Sequence, residues 1–317
     1  MDVLSVGETM VLFSPKTNGQ LRYANDFSAR IAGAETNTLI GLAKLGHETS
    51  WISRVGNDEL GAKIVSAVRG EGVDTTHVKH DKEAATGLFL KEKTNAQTSS
   101  IFYYRKDSAA SKMTSEDIEN IGVSDTKYLY ITGITPALSK SCEEMVFALL
   151  HKAKKEKVTV VFDPNIRKKL LDKNNGVELI KKIIGLSDIV LPGKSEGDFL
   201  FDTTDAAEIS KYCRNLGAGA VVVKLGEKGA YYENKDQNGF VGAYSVPYVM
   251  DPVGAGDGFA AGLLSGLLDG LAWKDAVKRA CAMGALVTQV DGDIEGLPTQ
   301  EQLQAFMESD NQDEVNR

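Results

Sequence analysis

Asp251-Pro252-Val253-Gly254-Ala255-Gly256-Asp257-Gly258-Phe259 is the stretch on which the reading of this chain turns. It follows a hydrophobic-rich segment, residues 243–250, read as extended, and it opens an apolar run over residues 259–267. A glycine-rich turn entering a helix gathers unpaired backbone N–H groups at the positive end of the helix dipole, where phosphate oxygens bind. Asp257 then falls on the first helical turn, a carboxylate beside an anion site. Two readings fit the turn by itself. One is a glycine turn with an acidic cap; the other is a base that deprotonates a hydroxyl next to a transferring phosphoryl group.

Upstream of this turn the chain has a regular rhythm. Apolar strands are predicted at 3–6, 49–55, 128–132, 158–163, 189–192 and 220–225. Helices are predicted at 34–45, 59–69, 139–156, 176–185 and 205–216. Continuous apolar strands alternating with amphipathic helices indicate a parallel sheet covered on both faces. Short extended pieces at 10–13, 21–23, 27–31, 85–91 and 99–104 are too short for that sheet and are grouped into a separate small one. A hairpin is expected from 229–232 and 240–246, with helices at 255–268, 273–290 and 299–308 and a frayed polar tail from Ser309. The fold class is one α/β domain over residues 1–317, carrying a small β-lid from segments 10–31 and 85–105.

Composition narrows the function. The chain has 317 residues, 42% apolar and 25% charged, which is ordinary for a soluble globular protein. Its net charge of −8 argues against nonspecific nucleic-acid binding and against a basic membrane-binding surface. No apolar run approaches a bilayer span, and the N-terminus lacks the pattern of a signal peptide, so a cytoplasmic location is expected. Cys142, Cys213 and Cys281 lie far apart with no metal-like or redox spacing, and His47, His77, His80 and His151 form no ligand pattern.

Four motifs occur in a fixed order: Gly33-Ala34-Glu35-Thr36-Asn37, Asp163-Pro164-Asn165-Ile166-Arg167, Lys224-Leu225-Gly226-Glu227-Lys228-Gly229, and the turn ending at Asp257. In this order, and over essentially the whole chain, they resemble the ribokinase (PfkB) carbohydrate kinase family. Tyr103-Tyr104-Arg105-Lys106-Asp107-Ser108-Ala109-Ala110 and the form of the first motif are most similar to the family's 2-keto-3-deoxygluconate (KDG) kinases. The resemblance implies a ribokinase-like three-layer α/β/α fold with a central, mainly parallel sheet. It also implies ATP-dependent phosphorylation of KDG to its 6-phosphate. Another PfkB sugar kinase, of fructokinase or ribokinase type, and a non-catalytic sugar-sensing relative are the alternatives.

On this resemblance Asp257 is the general base, and Gly254, Ala255 and Gly256 present N–H groups to the γ-phosphoryl oxygens. Tyr103 and Arg105, two apart on a segment read as a strand, face one cleft and suit a sugar acid, the arginine gripping its carboxylate. Gly33, Ala34, Glu35, Thr36 and Asn37 reach the sugar hydroxyls, although Thr36 or Asn37 also suits a helix cap. Arg167 is expected at the carboxyl edge of the sheet, contacting substrate or phosphate, and Asp293 is matched to a substrate-contacting acid. Asn165, Ser195, Lys224, Gly226 and Gly229, with Gly254 and Gly256, are assigned to the nucleotide. Ala282, Gly284 and Ala285 leave room for adenine or merely pack two helices.

Two departures from the family pattern stand out. Gly193-Lys194-Ser195-Glu196 keeps an acid, Glu196, that places Mg²⁺ through water, but Gly193 replaces an asparagine. Pro252 and Val253 offer no side-chain oxygens, which makes a bound K⁺ doubtful. The expected partners are a small sugar acid, ATP and further copies of the chain, because lid sheets in this family often pair between subunits.

Overall fold

The computed structural model of the chain describes residues 1–93, 99–171 and 175–315. In order, its strands are β1 (Val3–Val6), β2 (Met10–Pro15), β3 (Phe27–Ala32), β4 (Thr49–Gly56), β5 (Val78–Asp81), β6 (Leu88–Lys93), β7 (Ser99–Tyr104), β8 (Tyr128–Thr132), β9 (Thr159–Asp163), β10 (Ile189–Val190), β11 (Ala220–Lys224), β12 (Ala230–Glu233) and β13 (Asn238–Val241). Its helices are α1 (Ala34–Lys44), α2 (Glu59–Gly70), α3 (Lys140–Glu156), α4 (Asn175–Ile184), α5 (Lys194–Phe201), α6 (Ala206–Leu216), α7 (Ala255–Leu268), α8 (Trp273–Val287) and α9 (Gln300–Val315).

Nine strands form one sheet in the order β13-β12-β11-β10-β9-β8-β1-β4-β5, parallel except for the terminal hairpin β12–β13. Successive side chains of a strand point to opposite faces, so strands apolar throughout need cover on both sides. Ala220 and Val222 of β11 enter one core with α1, α2, α7 and α8, whereas Val221 and Val223 enter a second core with α3, α4 and α6. The result is a three-layer α/β/α arrangement, the ribokinase-like class implied above. A second sheet, in the order β3-β2-β6-β7, stands beside it. Among the described residues no helix is long and apolar enough to cross a membrane.

Local chemistry sets the helix ends. Asp58 caps α2 by accepting the Gly61 N–H at 2.8 Å, and Ser139 and Asp205 do the same for α3 and α6. The start of α7 is different. Gly254 stands at its N-cap with φ of 82°, a conformation open to glycine at little cost, and a Cβ there would lie 2.8 Å from the Asp293 carbonyl oxygen. Position α7 then depends on close packing with α8. Gly258, Gly262 and Gly266 lie four apart on one face, and Cβ atoms on Gly262 and Gly266 would come within 2.8 Å and 2.7 Å of the Ala280 and Ala276 Cα atoms.

Several local expectations are corrected. Residues 21–23 form a 3-10 turn, not an extended piece. The second arm of the hairpin ends at Val241, and residues 243–250 run without regular structure, held instead by buried Tyr244 against Phe306 at 5.4 Å between ring centroids. Helix α5 and strand β5 were not foreseen. Gly197 lies inside α5 where a Cβ would meet Ile209 Cδ1 at 2.2 Å. The segment from Ser309, expected to fray, continues α9 to Val315. Cys142, Cys213 and Cys281 are buried and unpaired, and burial pushes the last two thiols up to about 12.

Because α7 sits so close to α8, Gly262→Val is expected to lower the denaturant midpoint with an unchanged slope, a loss of about 1–3 kcal/mol typical of overpacking. An unchanged midpoint in urea would mean that the two helices do not constrain each other.

Candidate active site

Strands β8, β9 and β11 of the large sheet end at the same edge, and the small sheet stands opposite them. A cavity of about 660 Å³ lies between, lined by Glu8, Gly33, Ala34, Asn37, Phe89, Lys91, Tyr103, Arg105, Asn165, Arg167, Glu196, Lys224, Gly254, Gly256, Asp257 and Asp293, among others. The carboxyl edge of an open α/β sheet is where such folds bind ligands.

Asp257 is on the first turn of α7 and is 8% exposed. The Asn37 amide donates to its Oδ2 at 2.8 Å, the Asn165 amide to Oδ1 at 3.4 Å, and the Thr38 hydroxyl to its backbone carbonyl at 3.2 Å. Burial pushes its carboxyl up to about 7, against the Asn37 amide; Asp163 and Asp293 add to the rise, and the Arg167 charge draws it back. A carboxylate poised near neutrality is suited to taking a proton from a hydroxyl. The first-turn amides of Gly256 and Asp257 have no intrahelical acceptor, which leaves them free for an anion. A Cβ on Gly256 would lie 3.8 Å from the Lys224 ammonium, so a cation borders the same turn.

The surrounding charges are paired. Lys224, at the end of β11, donates to Asp163 Oδ2 at 2.6 Å. Burial lowers the Lys224 ammonium, but Asp163 and Glu196 outweigh this and hold it above its ordinary value. Burial raises Asp163 to about 6 against the pull of Lys224, so both groups are charged at neutral pH. Asp293 is likewise pushed to about 6 by burial, opposed by the Asn37 amide and the Lys91 charge. Arg105 follows β7 instead of lying on it, yet its guanidinium sits 5.7 Å from the Tyr103 ring and both line the cavity. It is already engaged: Nε donates to Glu8 Oε2 at 2.7 Å, and the Ser108 hydroxyl donates to the other oxygen. Arg167 is exposed at the rim, and its side chain makes no hydrogen bond or ion pair among the described residues, which leaves the guanidinium available.

Other foreseen residues stand elsewhere. Glu35 points away from the cavity; its Oε1 accepts from the Thr132 and Thr135 hydroxyls at 2.6 and 2.7 Å, and burial raises its carboxyl. Thr36 donates to the Gly33 carbonyl at 3.0 Å, closing the start of α1. Ser195 is exposed and, like Ala255, Gly226 and Gly229, does not line the cavity. Gly229 is confined by its φ of 99° and by the Val241 carbonyl, 2.0 Å from a would-be Cβ. Gly284 packs on the start of α7, with a Cβ position 3.2 Å from the Ala255 carbonyl.

Glu196 accepts the Gly193 N–H at 2.6 Å and the Ile166 N–H at 2.9 Å, joining its own helix start to the Asn165–Arg167 loop. Among the described residues no three His, Cys, Asp or Glu side chains gather as a metal cage. One carboxylate at the cavity wall, Glu196, suits Mg²⁺ held mainly by phosphate and water.

Glu8 and Lys91 are charged groups lining the cavity that the sequence reading missed, and Lys91 pairs with Asp251, the first residue of the stretch quoted at the outset. Lys91 and Phe89 alternate toward the cavity on β6, a period-2 pattern that could have found them.

The geometry has counterparts among known proteins. Residues 1–300 match the profile of the pfkB family carbohydrate kinases. A 2-dehydro-3-deoxygluconokinase of Bacillus subtilis (strain 168) is 40% identical over 97% of this chain and 95% of its own. The Thermoproteus tenax protein of the same name is 34% identical over 98% of this chain and 95% of its own. Among solved structures, a putative ribokinase II of E. coli in complex with ATP and Mg²⁺ superposes with a TM-score of 0.90 at 25% identity, covering 97% of this chain and 99% of that one.

Two outcomes follow from the environment of Asp257. The pH profile of kcat/KM is expected to fall on the acid side with an apparent pKa of about 7, and Arg167→Ala moves that limb to higher pH by removing a charge that favours the ionised form. A limb near pH 4 contradicts this. The folded value lies above the ordinary aspartate value of 3.8 that the unfolded chain keeps, so the group's contribution to stability is complete below about pH 4 and is lost as pH rises through 7. Asp257→Asn is therefore expected to unfold at higher temperature than the wild type at pH 8, the difference closing toward pH 4.

Proposed function

Because the chain belongs to the pfkB family of carbohydrate kinases, we propose that it phosphorylates 2-keto-3-deoxygluconate at its 6-hydroxyl with ATP. The products are 2-keto-3-deoxy-6-phosphogluconate and ADP. The observation that carries this reading is a buried Asp257 beside free amides, in one cavity with an unpaired Arg167 and a Tyr103–Arg105 pair. Asp257 orients the sugar hydroxyl and takes its proton as the oxygen bonds to the γ-phosphorus and ADP departs. The amides of Gly254 and Gly256 receive the charge that shifts onto the phosphoryl oxygens, with Lys224 bordering them, whereas the Ala255 N–H expected to join them donates to the Pro252 carbonyl at 3.4 Å. Mg²⁺, when bound near Glu196, neutralises phosphate charge.

The sugar side falls to Gly33, Ala34, Asn37, Tyr103, Arg105 and Asp293. Asn37 holds both ends of this side together, since it accepts the Gly33 N–H at 3.4 Å while donating to Asp257. The carboxylate of the substrate is assigned chiefly to Arg167, because Glu8 already balances the charge of Arg105. That same balance is what a kinase for a neutral ketohexose or pentose would want, and it keeps the fructokinase or ribokinase type as the second reading. Asn165 and Lys224 border the phosphates, and the loop at Gly226 and Gly229 is assigned to the rest of the nucleotide.

The chain is also proposed to work as a homo-oligomer in the cytoplasm. On the outer face of the small sheet Leu88 stands opposite Tyr104 and Leu90 opposite Phe102, and Phe102 and Tyr104 are 46% and 63% exposed. Light scattering at micromolar concentration is expected to give more than one subunit, and Tyr104→Asp to lower that number. A monomeric wild type contradicts the assembly.

ADP release measured over KDG, gluconate, fructose, ribose and adenosine tests the activity. Strong turnover with KDG is expected, with Asp257→Ala lowering kcat by about 10²–10⁴-fold. Arg167→Ala is expected to raise KM for KDG and, measured at pH 9 above the acid limb of Asp257, to leave any weak turnover of fructose unaltered. Strong turnover with fructose and none with KDG would overturn the substrate, and full turnover in Asp257→Ala the mechanism.

A further inference from the structure

Lys91 and Asp251 form a buried ion pair to which the reading above gives no task. Lys91 is on β6 of the small sheet, and Asp251 precedes α7 in the large domain layer; each is 7% exposed. The ammonium of Lys91 donates to Asp251 Oδ2. The other oxygen, Oδ1, accepts the Val253 N–H at 3.1 Å. One carboxylate thus joins the small sheet to the backbone immediately ahead of Gly254.

The backbone on either side shows why that joint matters. Upstream, the Met250 and Asp251 N–H groups both donate to the Thr288 carbonyl, at 2.8 and 3.2 Å, which anchors the loop to the end of α8. Downstream, Asp257 is held by Asn37. Between these anchors Pro252 has no N–H to give, and Gly254 and Gly256 have no side chains. Among the described residues, the Asp251 carboxylate is the side chain that clamps this interval. A carboxylate so buried needs a counter-charge and hydrogen bonds, and Lys91 supplies the charge and one bond while the Val253 N–H supplies another. Its charge also favours the ionised form of Asp293, whose backbone carbonyl packs under Gly254.

The geometry points to Lys91 as a positioning residue for phosphoryl transfer: through Asp251 and the Val253 N–H, the small sheet fixes the Gly254 and Gly256 amides where the phosphoryl group is received. The inference rests on the kinase reading for its catalytic consequence, but the clamp itself does not depend on which sugar is bound. It also makes the seating of the small sheet and the shape of the phosphoryl turn one variable. A sugar that lets the sheet seat sharpens the turn, and a lifted sheet relaxes it.

The test uses the full chain. Lys91→Ala is expected to lower kcat about 10²-fold while KM for the sugar stays within about threefold, because a displaced cradle costs the transition state more than the bound sugar. The atoms removed equal n-propylammonium, so n-propylammonium chloride is expected to restore kcat at least about tenfold, whereas choline chloride at equal concentration does not. Lys91→Arg keeps most of the rate. Undiminished kcat in Lys91→Ala overturns the inference, as does a loss that neither the amine nor arginine reverses, since that pattern belongs to a merely structural residue. If Lys91→Ala does not fold, Lys91→Gln, which keeps a donor without the charge, is set against Lys91→Arg: a kcat lowered in Gln and kept in Arg supports the inference, and equal rates overturn it.

A second arm needs no substrate. Hydrogen exchange at the Val253 amide is expected to be faster in Lys91→Ala than in the wild type, and to return toward the wild-type rate with n-propylammonium. Unchanged exchange overturns the clamp. Failure of the wild type on every sugar overturns the proposed function and leaves this arm to decide the positioning role.

Discussion

Burying a carboxylate without a full counter-charge is unfavourable, and the site is arranged around one. Asp257 is held by amide donors from Asn37 and Asn165, not by a cation in contact, so burial pushes its carboxyl up to about 7. A direct lysine or arginine contact would stabilise the ionised form and remove its appetite for a proton. A wholly apolar surround would keep it protonated and inert. Amide donors, with Arg167 acting from the rim, leave it between these limits. Helix α7 supplies the rest, because the same first turn that carries Asp257 presents amides to an anion.

The cations that approach this carboxylate are each partnered elsewhere. Lys224 is paired with Asp163, Lys91 with Asp251 and Arg105 with Glu8. Each pair puts positive charge on the cavity wall while keeping it from collapsing onto Asp257. Desolvating such pairs brings little net stability, so their presence speaks for function more than for folding. Arg167 is the exception. Exposed at the rim and paired with no acid among the described residues, it has charge to spare for an anionic ligand. Two of the three paired cations, Lys91 on β6 and Arg105 just after β7, come from the small-sheet side of the cavity.

What the sequence made legible was local. The glycine turn before Asp257 and the continuous apolar strands alternating with amphipathic helices announce themselves within a few residues; they marked a sheet covered on both faces and the edge where ligands bind, while the three-layer arrangement was implied by the family resemblance. Contacts across the chain were not legible. Glu8 meets Arg105 across 97 positions and Lys91 meets Asp251 across 160, and nothing near either residue signals the partner. Some glycines answer to packing instead of turning: Gly197 sits inside α5 where a Cβ would meet Ile209, and Gly284 lies under the start of α7, the helix-packing alternative given above. The first motif divides physically. Gly33, Ala34 and Asn37 face the cavity, while Glu35 turns inward to Thr132 and Thr135, a split that helical spacing permits but cannot assign without the neighbouring strand.

The ionisation of Asp257 in the free protein is the quantity on which base, cradle and charge arrangement all bear. Carboxyl ¹³C chemical shifts in aspartate-labelled protein, titrated from pH 4 to 9 and assigned by comparison with Asp257→Asn, measure it directly. A resonance that titrates near pH 7 in the wild type and is lost in the variant is the predicted result. An Asp257 carboxyl already ionised at pH 5 would contradict it, because a site that holds its base as a settled anion is not poised to take a proton from a sugar hydroxyl.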